Sequence, residues 1–134
     1  MKNLIYFIAI IIVIACNSTS KIAENKLQQK TILPDSIYRF TVSFISIGSG
    51  TDSEARQQFS RFIQQFNKEN NITINTEITN WGREGEMDYC LKLNELNKQQ
   101  QDRFIAETKK ILKNSTLVRY NENSICEYKE KRKE

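Results

Sequence analysis

The chain has 134 residues, a formal net charge of +4 and no histidine. The missing histidine excludes Ser-His-Asp and Cys-His catalysis and most zinc sites. The charge is mild and mixed in sign, and no groove-reading motif is present, so nucleic acid is not an expected partner.

The chain opens on Met1-Lys2-Asn3, followed by an apolar run from Leu4 to Ala15 and then Cys16. A run in the low teens is short for a membrane span, which needs about 20 apolar residues, and fits the core of an export signal. The polar residues Asn17-Ser18-Thr19-Ser20 follow, with no stop-transfer pattern.

Val13-Ile14-Ala15-Cys16 resembles the lipobox of bacterial lipoproteins. Val13 takes the aliphatic position, Ala15 the small position and Cys16 the modified one, while Ile14 is bulkier than the usual residue. The resemblance covers residues 1–16 only. It implies a signal peptide over 1–15, a diacylglyceryl group on the Cys16 thiol, cleavage before Cys16 and usually acylation of the new amine. Each buried methylene contributes about 0.8 kcal/mol, so one chain holds weakly and two or more hold firmly. Asn17 after Cys16 resembles the outer-membrane-sorted class, which implies a location in the cell envelope facing the periplasm. The chain as a whole is similar to small lipoproteins of Gram-negative bacteria, a likeness that carries no activity.

Residues 16–36 read as the lipidated N-terminus and a flexible tether, polar and rich in Gln, Lys and Asn. A coil of about 20 residues reaches roughly 25 Å. Asp35-Ser36-Ile37 resembles a short O-glycosylation motif of some Gram-negative envelopes, and reads equally as an ordinary loop entry.

The folded domain is expected over residues 37–126. Tyr38, Phe40, Val42 and Phe44 alternate with polar residues, the period of a strand. Gly48-Ser49-Gly50 closes it, Thr51 or Asp52 supplies an N-cap, and Ala55, Phe59, Phe62, Ile63 and Phe66 form a helical stripe ending at Asn70-Asn71. Ile72, Ile74, Thr76 and Ile78 alternate again. Gly82-Arg83-Glu84-Gly85 turns the chain, and Met87, Tyr89, Leu91 and Leu93 alternate on the return. Asn97 with Gln100 reads as a capping box before the stripe Phe104, Ile105, Thr108, Ile111 and Leu112. Leu117–Tyr120 reads as a short last strand, Asn121–Cys126 as a segment folding back along the helix-free face of the sheet or its edge, and 127–134 as a charged tail.

This order predicts an α+β fold of the ferredoxin-like β-α-β-β-α-β type, an antiparallel sheet with two helices on one face. The other face, carrying Arg39, Thr41, Ser43, Asp88, Cys90 and Lys92, is expected to be largely polar and open. The fold supports many functions and implies none.

Three sites follow. With Cys16 assigned to lipid, Cys90 and Cys126 form an even pair suited to a disulfide in an exported protein, although the third and fourth strands of this fold are not neighbours. Trp81 and Arg83 at the hairpin tip have the character of partner contacts, against a packing role for Trp81. Gly48, Ser49 and Gly50 precede a helix N-terminus whose amides suit an anion, with Arg56 nearby. Acylphosphatase, a ferredoxin-like enzyme, uses its first strand–helix loop in this way with an arginine. The motif here differs, and Asp52 and Glu54 place negative charge where a phosphate would sit. No metal or cofactor is expected. The first reading is a non-enzymatic, lipid-anchored envelope protein that binds a protein or glycan; the alternative is an anion-binding or acylphosphatase-like hydrolase at Gly48–Arg56.

Overall fold

The computed structural model describes residues 36–130. The expected signal peptide, Cys16, nearly all of the expected tether and the end of the tail lie outside the described residues. The described chain runs β1 (Ile37–Phe44), α1 (Ser53–Asn70), β2 (Thr76–Asn80), β3 (Met87–Leu91), α2 (Lys98–Ile111), β4 (Val118–Ile125) and α3 (Glu127–Glu130). The strands form one antiparallel sheet in the order β2-β3-β1-β4. This is the ferredoxin-like arrangement.

Local chemistry sets the helix limits. Asp52 caps α1 by accepting the Ala55 N–H, and Asn71 ends it at φ 52°, a left-handed conformation that asparagine tolerates. Asn97 and Gln100 form a reciprocal capping box on α2. Phe40, Val42, Phe44, Tyr89 and Leu91 pack from the sheet against Phe59 and Phe66 of α1 and Phe104 of α2 in one buried cluster. Both helices therefore cover the same face. Phe59 joins the layers, with ring centroids 5.2 Å from Tyr89 and 6.4 Å from Phe104.

The other face is not open. β4 is longer than its apolar content suggests, continuing through Asn121 to Ile125 as an antiparallel partner of β1. Tyr38 leaves the main core and forms a second buried cluster with Cys90 and Cys126. Arg39, expected on the far face, sends its guanidinium to Glu122 at 2.7 Å and to Asp102 of α2 at 3.2 Å. The alternation of β1 is thus broken between Tyr38 and Phe40. In β4, Asn123 stands between the partners of those two residues and takes φ 52°.

That break coils the β1–β4 ribbon over the sheet. Ile125 pairs with Ile37, whereas Cys90 is level with Thr41. In a flat sheet Ile125 and Cys90 would stand about 16 Å apart, four residues along and two strands across. Cys126, one residue beyond Ile125, nevertheless bonds to Cys90 with the Cα atoms 5.9 Å apart. The bridge passes over β1, so the two strands need not be neighbours. Its two cysteines are 36 residues apart in sequence. A Cys90→Ala, Cys126→Ala protein is expected to lose roughly 4 kcal/mol. Chemical denaturation of the pair beside the parent checks this, and an unchanged midpoint would contradict it.

Arg39 also ties the coiled ribbon to α2, because Lys109 meets the same Glu122 at 2.6 Å. The Lys109 ammonium and then the Arg39 guanidinium hold the Glu122 carboxyl below its ordinary value of 4.5. Lys98 first, and then Arg39, hold Asp102 below 3.8. Both folded-state values lie below the unfolded ones, so this stabilisation is present above pH about 4.5 and is lost as pH falls through the lowered values. Arg39→Ala is expected to cost about 1 kcal/mol at pH 7, since both carboxylates are partly exposed and screened by solvent, and progressively less in acid. Urea titrations at pH 7 and pH 3 measure the difference.

Candidate functional site

Two loops meet at the end of the sheet opposite Ile37. β1 is antiparallel to β3, with Phe44 opposite Met87, so the β1–α1 loop and the β2–β3 hairpin loop share that end. The Ile45 N–H donates to the Leu117 carbonyl at 2.9 Å and fixes the base of the first loop. Gly48 at φ 108° and Gly50 at φ 88° turn it through backbone that other residues rarely adopt.

The loop amides point inward. Gly48 N–H and Gly50 N–H donate to Ser46 Oγ at 3.0 and 3.1 Å. The Ser46 hydroxyl in turn donates to the carboxylate of Glu84 from the hairpin tip. The hydroxyl first, then the Gly50 and Gly48 amides, keep the Glu84 carboxyl below its ordinary value. The positive end of the loop is therefore occupied by the protein's own anion. The Glu84 N–H donates to Glu86 at 2.8 Å, and a Cβ at Gly82 would collide with the Glu86 carboxylate, so the tip is built around its acidic side chains.

The expected anion site is only partly assembled. Gly48 and Gly50 converge, but on Ser46 and Glu84. Ser49 is exposed in the turn. Arg56 reaches Met87 Sδ at 4.0 Å, at the base of the hairpin. Asp52 is held below its usual value by the Ala55 N–H and then the Ser115 hydroxyl, so a second carboxylate is fixed at the N-terminus of α1. An incoming phosphate would have to displace one carboxylate and approach another.

The two hairpin-tip residues separate. Arg83 is exposed. Trp81 is turned inward: its ring stacks on Tyr128 of α3 with centroids 3.8 Å apart, and its indole N–H donates to Asp88 at 3.1 Å. Asp88 is buried on the face away from α1 and α2, two residues along β3 from Cys90. Trp81, Asp88, Tyr128 and the disulfide thus bind the C-terminal segment across the sheet, and the stretch expected to be a solvated tail begins as part of the domain.

Sequence reasoning missed Ile47, which is 80% exposed at the tip of the first loop. Its signal was present as an isoleucine inside a Ser/Gly-rich turn. Glu84 and Tyr128 carried no such signal, because their partners are 38 and 47 positions away in sequence.

Among the described residues no helix is long and apolar enough to cross a membrane, and no group of three or more Cys, Asp or Glu side chains is placed to hold a metal ion. Comparison with family models, with curated proteins and with solved structures finds no match.

Because Trp81 is the sole tryptophan, its emission reports the C-terminal segment. Tyr128→Ala is expected to shift that emission towards the red. Trp81→Ala is expected to cost about 2–3 kcal/mol, below the range for a fully buried tryptophan. An unchanged spectrum in Tyr128→Ala would show that the stack does not hold in solution.

Proposed function

We propose that this is a lipid-anchored protein of the cell envelope, attached through Cys16, whose domain binds a partner and has no catalytic role. The observation that carries the reading is the pairing of the cysteines. The chain has three. Two are bonded to each other, which suits an oxidising compartment and leaves Cys16 alone at the end of the apolar run. Loss of residues 1–15 removes Lys2 from the +4 chain, leaving +3 for the anchored form.

The polarity of β1 supports the direction of display. The tether joins the domain at Ile37, and the paired loops lie at the far end of an eight-residue strand, about 25 Å away. A membrane-held domain would carry Ile47 and Arg83 outward. An exposed aliphatic side chain beside an arginine, on loops braced by Ser46 and Glu84, suits a protein partner better than a glycan. The engagement of the Gly48 and Gly50 amides by Ser46, itself bonded to Glu84, weighs against the hydrolase reading of that loop.

Growth with labelled palmitate tests the anchor: the parent is expected to take up label and Cys16→Ser to take up none. Label retained in Cys16→Ser would end the lipoprotein reading. In intact envelopes, an Ile47→Asp, Arg83→Ala protein is expected to lose the cross-linked adducts formed by the parent while melting at the same temperature.

A further inference from the structure

The two edges of the sheet differ. β4, at one edge, contains the left-handed Asn123 and carries Glu122 in ion pairs with Arg39 and Lys109. An added strand would meet a break partway along it. β2, at the other edge, is an uninterrupted Thr76-Glu77-Ile78-Thr79-Asn80 with no proline, no lysine and a single charge. Natural sheets usually blunt such an edge. Here its middle residue is Ile78, which is 53% exposed although it lies opposite Tyr89 on the core side of the sheet.

We propose that β2 pairs with β2 of a second copy of this chain, antiparallel about Ile78, to make a continuous eight-stranded sheet. The sequence of the strand is self-complementary in that register. Ile78 meets the partner's Ile78, Glu77 meets the partner's Thr79, and Thr76 meets the partner's Asn80. No like charges face each other, and the exposed isoleucines cover one another at the two-fold axis. A register centred on Glu77 would bring the two Glu77 carboxylates together, and one centred on Thr79 would set each Ile78 against the partner's Asn80 instead of the other isoleucine. Five-residue strands bury a small area, so the dimer is a weak one.

The test uses the full chain in mild detergent. Sedimentation equilibrium is expected to show reversible growth with concentration from the mass of one chain towards twice that mass. Ile78→Lys opposes two ammonium groups at the axis and is expected to weaken the dimer about tenfold or more, with an unchanged melting temperature because the side chain is half exposed. In a second variant, Ile78→Cys is expected to form an interchain bridge on non-reducing gels, and Ile47→Cys, at the distant loop, is not. A chain that stays monomeric at every concentration overturns the proposal. So does a dimer that survives Ile78→Lys, or equal bridging by the two cysteine variants, which would indicate another surface or random collision.

Discussion

The bond between Cys90 and Cys126 organises the face of the sheet that the helices leave uncovered. Without it, nothing covalent would hold the end of β4 against a strand two places away. With it, Tyr38 and both sulfurs become buried, and the chain that follows is carried to Trp81. A sheet of four strands with helices on one side normally leaves its other face to water. Here that face gains a small second core of Tyr38, Cys90 and Cys126, with Thr41, Thr79 and Asp88 buried on the same face. The cost is a left-handed residue in β4, Asn123, opposite the point where the side-chain alternation of β1 breaks between Tyr38 and Phe40. Arg39 shows why the break is tolerated: its guanidinium, turned to the helix side, meets two carboxylates.

The distal loops show a related economy of charge. Turns before a helix collect N–H groups, and such groups attract anions. In this chain the attraction is met internally, by the Ser46 hydroxyl and the Glu84 carboxylate. The result is a braced pair of loops with no vacant cradle. Rigid loops that project an isoleucine and an arginine are suited to recognition, since little side-chain freedom in the supporting residues is lost on binding.

The elements were legible wherever a local rule acts. Period two marked β1 and β3, period 3.6 marked both helices, and Asp52, Asn97 and Gln100 marked their starts. β2 was displaced: the alternation from Ile72 begins before the strand, because Ile74 is buried and its N–H is taken by Asn67 Oδ1 at 3.1 Å. β4 runs beyond the expected Leu117–Tyr120, a limit suggested by the polar residues Asn121, Glu122 and Asn123. They form strand because β1 offers a ladder on one side and the other edge is free to face water.

Alternation, caps and turn residues depend on neighbours a few positions apart, so the sequence by itself determined the order of elements, the antiparallel α+β architecture and most of the aromatic core. Composition also made the cysteine pair a candidate, without saying how strands two apart could be joined. The remaining features rest on contacts between distant residues: Arg39 with Glu122, Ser46 with Glu84, Trp81 with Tyr128 and Cys90 with Cys126. Their geometry is set by the coiling of one ribbon over the sheet, which no local pattern encodes. Only the tertiary structure decided that Trp81 faces inward, that the loop amides are occupied, and that β2 stands at an edge of the four-stranded sheet.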